Sequence, residues 1–269
     1  MPMQALRQLF SRHQRAIARW STRMALCTLA TVIAVQTVRT PPHLIERPAA
    51  EALAAPVNAS SSSVTAPNVT TREPAAFRSP WQLANLPNPR VDGWVQRFTT
   101  SLKSDLSAAL DRGSAYLPMI SAKLAARHMP QELAYLPVTE SEFRPQARSP
   151  VAAVGLWQFI SSTARRFGLS VGRHADERTN AVKETDAALA YLSQLHDRFG
   201  SWYLAAAAYN AGPGTVANAM QRVLGRTTGS DADFYSITAR LPAETRDYVP
   251  KLIAVARIVK DSSGYSPTS

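Results

Sequence analysis

Three short polar runs stand out against apolar surroundings as places where chemistry could be done: Thr139-Glu140-Ser141-Glu142-Phe143, Gly155-Leu156-Trp157-Gln158, and Ala208-Tyr209-Asn210-Ala211-Gly212-Pro213-Gly214. Glu140 follows the apolar stretch Leu133–Val138, so its carboxyl is expected to be at least partly buried. Burial raises a carboxyl pKa because the charged form loses its hydration. A glutamic acid that keeps its proton near neutral pH can donate it to a leaving oxygen. Cleavage of a glycosidic bond needs that donation. Glu142 is the nearest second carboxyl in sequence, but residues two apart on a helix do not face the same way. It therefore reads as a solvated helix-end carboxylate. Tyr209 and Gln158 are donors that could stabilise charge as it develops. Plainer alternatives exist: core packing beside Trp202 and Tyr203 for Tyr209, and a helix start for Gln158. Asn210 to Pro213 also reads as a helix stop and restart.

The elements that must position these residues are helical. From about residue 90 onward strand signals are nearly absent and apolar residues recur at three- and four-residue spacing. Val95, Phe98, Leu102, Leu106 and Leu110 follow that spacing, with Gly113 as a stop. Further helices are expected over 116–127, 132–142, 157–167, 181–199, 202–209, 213–224 and 244–260. The long one is closed by Gly200, and Pro213 suits a first turn. The segment 202–209 is almost wholly apolar and should be buried. The expected architecture is one all-α domain over residues 88–262, followed by a tail, 263–269.

The first 87 residues read differently. Arg7, Arg12, Arg15, Arg19 and Arg23 precede Met24–Val38, fifteen residues without a charge. That pattern is an export signal or membrane anchor over 1–40, and cleavage and retention both stay open. Pro41, Pro42, Pro48, Pro56, Pro67, Pro74 and Pro80, with Ala, Ser and Thr between them, make 41–87 a flexible linker. The formal net charge is +11, but residues 1–80 hold nine arginines against three glutamates. The remainder is mildly basic and has no Lys/Arg run with interleaved aromatics. No nucleic-acid surface is expected there, while an anionic polysaccharide would suit it. The single Cys27 can form no intramolecular disulfide. His13, His43, His128, His174 and His196 show no metal-ligand spacing, so neither metal nor cofactor is expected.

Taken in order, Glu140-Ser141-x-Phe143-x-Pro145-x-Ala147-x-Ser149, Gly155-Leu156-Trp157-Gln158, Ala208-Tyr209-Asn210-Ala211-Gly212 and Glu244-Thr245-x-x-Tyr248-Val249 resemble the Slt-type lytic transglycosylases, which share a goose-lysozyme-like catalytic fold. The resemblance covers roughly residues 88–262. It implies Glu140 as the catalytic acid and base. It implies Ser149 and Gln158 as residues lining the cleft, Tyr209 and Asn210 as a pair whose tyrosine lies beside the glutamate, and Glu244 and Tyr248 on the cleft wall. Ala152 departs from the family, which often has Gly there, and this puts the local turn in question. The reaction implied is cleavage of the MurNAc–GlcNAc β-1,4 bond of peptidoglycan without water, giving 1,6-anhydroMurNAc ends. A muramidase on the same fold, or an inactive wall-binding protein, are the alternatives. The implied partners are peptidoglycan strands, with a tether to the inner membrane through the N-terminal apolar segment. A monomer in the periplasm or cell envelope is expected. No LysM repeat follows residue 262, so wall binding is expected from the catalytic domain or the anchor.

Overall fold

The structure, a computed structural model, describes residues 82–173 and 175–262. The apolar segment Met24–Val38 with Cys27, the linker as far as residue 81, His13, His43, His174 and the tail 263–269 lie outside the described residues. Among the described residues the regular structure is helical, with no strand and three isolated bridges.

The helices are α1 (Pro89–Thr99), α2 (Lys103–Gly113), α3 (Leu117–Ala126), α4 (Leu136–Glu140), α5 (Ser161–Arg166), α6 (Ala181–Phe199), α7 (Trp202–Ala211), α8 (Pro213–Leu224), α9 (Asp231–Ile237) and α10 (Ala243–Ser262). Short 3-10 turns occupy Gln131–Tyr135, Glu177–Thr179 and Thr238–Arg240. The centre is α7, in which Tyr203, Leu204 and Ala205–Ala208 are wholly buried. Its run of alanines offers little side-chain bulk, so neighbouring helices can approach closely. Helix α6 packs on one side of it, and α10 on another, with α1 laid along α10.

Residues 82–87 belong to this packed body, although their composition placed them in the linker. Leu83 is buried, the Gln82 and Leu83 N–H groups both bond the Glu132 carboxylate, and the Tyr203 hydroxyl donates to the Ala84 carbonyl. Glu132 also receives Lys260 at 2.6 Å, and both side chains are buried. This closes the C-terminal helix onto the start of the domain. A buried pair of this kind is costly to half-remove, because the survivor is left uncompensated.

Local signals explain where helices begin and end. Asn180 caps α6 by accepting from Val182 N and Lys183 N at 3.1 Å each, and Gly200 closes it in the left-handed region, φ 73°. Asn180→Ala should cost about 1 kcal/mol, lowering Tm by about 3 °C in a thermal melt.

Three expected helices need correction, and one further helix is present. The single helix through Val95–Leu110 is broken at Thr100–Leu102, where the Thr99 and Thr100 hydroxyls bond back to the carbonyls of Val95 and Gln96. The helix over 132–142 is a 3-10 turn followed by the five residues of α4. The helix over 157–167 exists only as α5, because Gln158 sits at φ 51° and its neighbours are in turns. Helix α9 was not anticipated, although Ser230 and Asp233 form a capping box at its start.

Candidate active site

Glu140 is the last residue of α4 and is only 8% exposed. Two consecutive non-glycine residues in the left-handed region, Glu142 at φ 53° and Phe143 at φ 57°, turn the chain sharply after it. Such backbone costs energy and persists only where its surroundings hold it. Here the holders are visible. Phe143 is buried, stacks on Tyr116 at 6.5 Å, and lies against Gly113, where any Cβ would meet its ring at 2.7 Å. Arg112 donates to the Glu142 carbonyl at 2.8 Å and to its carboxylate at 3.1 Å. Arg144 pairs with the same carboxylate. Glu142 is therefore a structural ion-pair partner, tied down rather than simply solvated.

The Glu140 carboxyl receives the Tyr248 hydroxyl at 2.5 Å, from the first turns of α10. Burial pushes its pKa up to about 8. The Tyr248 hydrogen bond works against that rise, the charge of Glu244 adds to it, and Lys251 opposes it. Lys251 is one turn along α10 from Tyr248, with its ammonium 4.6 Å from the Trp94 ring centre. Burial beside Glu140 also pushes the Tyr248 and Tyr209 phenols up, so both stay protonated donors.

The residues implied by the resemblance divide into two groups. Glu140, Tyr248, Tyr209 and Glu244 act on one another at one place, by the hydrogen bond and by charge. Glu244 lies in the first turn of α10, and its Oε2 is buried without a hydrogen-bond partner among the described residues. Ser149, Gln158 and Asn210 instead have internal partners. Ser149 Oγ accepts from Ala153 N at 3.0 Å. Gln158 Nε2 donates to the carbonyls of Gly155 at 2.8 Å and Ala147 at 3.3 Å. Asn210 Oδ1 accepts the Thr245 hydroxyl at 2.7 Å, joining α7 to α10. Ala152, where the turn was in question, adopts φ 61° and keeps the turn with an alanine.

Sequence reasoning missed Glu184. It is fully buried in the first turn of α6, and its carboxyl accepts from Leu156 N at 2.8 Å and Trp157 N at 3.4 Å. Thr185 receives the Trp157 indole N–H at 3.0 Å. The loop so held passes two carbonyls back toward Glu140: Leu156 O accepts from Ser141 Oγ and Trp157 O from the Tyr209 hydroxyl, each at 2.8 Å. A signal was present. Glu184 is one turn before Ala187 and Ala188 on the inward stripe of α6, where a carboxylate is out of place.

Chemically, the site offers a protonated carboxyl, a phenol that holds it in one orientation, and a second phenol nearby. No group of His, Cys, Asp and Glu among the described residues is arranged to hold a metal ion. Tyr248→Phe removes a bond that favours the carboxylate, so Glu140 should lose its proton at a higher pH still. The alkaline limb of activity should move up, and turnover should fall about 10- to 100-fold, the worth of one hydrogen bond to a charged group. A pH–rate profile of the variant checks both.

Residues 118–229 match the family model described as Transglycosylase SLT domain. The chain is 39% identical over 179 residues to membrane-bound lytic murein transglycosylase D of Escherichia coli K12, covering 66% of this chain and 38% of that protein. It is 30% identical over 165 residues to the soluble lytic murein transglycosylase of the same strain, covering 57% of this chain and 24% of that one. The chain thus spans well under half the length of these relatives. Among solved structures, a lytic transglycosylase Slt chain from Pseudomonas aeruginosa is 28% identical with a TM-score of 0.44, over 54% of this chain and 24% of that one.

Proposed function

The chain carries a transglycosylase SLT domain, and from that premise we propose that it cleaves the glycan strands of peptidoglycan by lytic transglycosylation, with Glu140 as the single acid and base. The observation that carries this reading is the buried Glu140 carboxyl, whose proton is held up to about pH 8 while Tyr248 fixes its orientation.

The steps balance with one carboxyl. Glu140 donates its proton to the oxygen bridging C1 of N-acetylmuramic acid and C4 of N-acetylglucosamine, and the C1–O bond breaks. The resulting carboxylate takes the proton from the C6 hydroxyl of the same muramoyl unit. That oxygen attacks C1, closing a 1,6-anhydro ring and returning the proton to Glu140. No water is consumed. The Tyr248 hydroxyl stabilises the transient carboxylate, and Lys251 favours the same charged state. The charge of Glu244 favours the protonated resting state. Glu142 is held by two arginines and plays no part in the reaction.

The arginine-flanked apolar segment Met24–Val38 supports export to the cell envelope, with an inner-membrane tether if the segment is retained. Among the described residues no helix is long and apolar enough to cross a membrane. The protein acts as a monomer on glycan strands.

Mass spectrometry of sacculi digested by the full chain tests the reading. Fragments ending in anhydromuramic acid, lighter by one water than hydrolytic fragments, are expected. Reducing ends would make it a muramidase, and undigested sacculi would leave a wall-binding protein.

A further inference from the structure

The Gly155–Gln158 loop stands between α6 and the Glu140 turn, and Glu184 fixes its α6 side. Glu184 Oε1 has a firm donor, Leu156 N at 2.8 Å. Among the described residues its Oε2 has only the long contact to Trp157 N at 3.4 Å. The same Oε2 shares a tight space with a second acceptor. A methyl built on Gly155 would lie 2.1 Å from Glu184 Oε2 and 1.9 Å from the Arg178 carbonyl oxygen. Both oxygens face the Gly155 hydrogen that fills this volume, and one weak C–H donor shared by two buried acceptors leaves a repulsion that an O–H hydrogen would relieve. A carboxylate has none to give, whereas a carboxylic acid has one.

We propose that Glu184 is a positioning residue that works as a neutral carboxylic acid, accepting from Leu156 N–H through Oε1 and donating from Oε2 to the Arg178 carbonyl, so that the loop holds Ser141 and Tyr209 in register with Glu140. The link to activity rests on the reading of Glu140 as the acid. The protonation state does not.

The surroundings agree. Burial pushes the Glu184 carboxyl up to about 8, the Asp176 charge adds to that, and the Leu156 and Trp157 N–H groups oppose it. Among the described residues no cation pairs with the Glu184 carboxyl, and Arg148 acts on the Asp176 carboxylate instead. The Arg178 guanidinium is committed to Asp176 and to the carbonyls of Ala152 and Phe159. On α6 itself, Lys183 pairs with Glu177, and Asp186 pairs with Lys123 and Arg127. From α7 the facing titratable group is the Tyr209 phenol, kept protonated chiefly by its burial. The loop 155–158 brings no charge of its own.

The test compares Glu184→Gln and Glu184→Ala with the wild-type full chain, by thermal unfolding at pH 6 and pH 9 and by kcat and KM on sacculi at pH 6. Glutamine copies the neutral acid, because its oxygen accepts from Leu156 and its amide donates to Arg178. It should keep kcat within about threefold at pH 6, and its Tm there should lie only modestly above the wild type's, because the loss linked to ionisation begins above about 4.5. The sign at higher pH follows from linkage. A carboxyl whose folded pKa is raised gives stability that is complete below its unfolded pKa of about 4.5 and gone once pH passes about 8. Glutamine never ionises, so Glu184→Gln should melt above the wild type at pH 9. Glu140 titrates in both proteins and cancels in the comparison. Glu184→Ala should lose about tenfold or more in kcat with KM little changed, because the loop slackens without touching substrate. The proposal is overturned if Glu184→Gln is as impaired as Glu184→Ala at pH 6, which would mean that the ionised form does the holding. It is equally overturned if the Tm difference between Glu184→Gln and wild type is the same at both pH values. The melting comparison decides even if the wild type digests no sacculi or Glu184→Ala does not fold, so a failure of the glycan-cleaving reading is told apart from a failure of this one.

Discussion

Glu140→Gln should lower kcat on sacculi by about 10³-fold or more, because one carboxyl both gives and retrieves the proton and general acid–base catalysis contributes about 10²–10⁴-fold for each such role. Gln keeps the size of the side chain and an oxygen that can accept the Tyr248 hydroxyl, so fold and wall binding should survive. Stability should change with a definite sign. In the unfolded chain the carboxyl ionises near 4.5, and in the folded one near 8. Stability from the protonated carboxyl is complete below 4.5, declines as pH rises between the two values, and is lost above about 8. Gln carries no such dependence. Relative to wild type, Glu140→Gln should therefore gain on the order of 2–4 kcal/mol between pH 4.5 and pH 9, read from denaturant melts. An inactive variant that outlasts its parent at high pH would show that the site holds its acid at a cost to the fold.

Gly155→Ala should destabilise the chain by about 3–5 kcal/mol and drop Tm by roughly 10 °C. Two causes combine. The φ of 96° lies where side chains are rarely tolerated. The new Cβ would also strike the Arg178 carbonyl at 1.9 Å and the Glu184 carboxyl at 2.1 Å. The first contact is main chain and cannot swing away. Relief would have to move the loop whose Leu156 and Trp157 carbonyls receive Ser141 and Tyr209, so turnover should fall with stability. Gly93→Ala is the matched control. Gly93 is inside α1 with nothing within 4 Å of a built Cβ, so alanine there should stabilise by about 0.5–1 kcal/mol.

Much of this was legible in the sequence where local chemistry decides local structure. Helices α6 and α8 were read to the residue, because Asn180 and Gly200 bound the first and Pro213 opens the second. The burial of Glu140 followed from its apolar approach and is observed. What escaped was decided by contacts distant in sequence. Periodicity made 157–167 look helical, but bonds from Leu156 and Trp157 to Glu184, and from the Trp157 indole to Thr185, hold its start as turns. Tyr248 was expected only on a wall, yet it reaches Glu140 across 108 positions of chain. No local pattern announces such a pairing. Gln158 and Ser149 look like substrate donors in a motif and turn out to bond their own loop. A polar residue within a turn serves the backbone as readily as a ligand.

The most direct measurement is the pH titration of the Glu140 side-chain carboxyl by ¹³C NMR, its signal identified by absence from Glu140→Gln. A midpoint near 8, moving higher still in Tyr248→Phe, is the expected result. A midpoint near 4.5 in the folded protein would contradict the account, because a carboxyl already ionised at neutral pH has no proton to give a glycosidic oxygen.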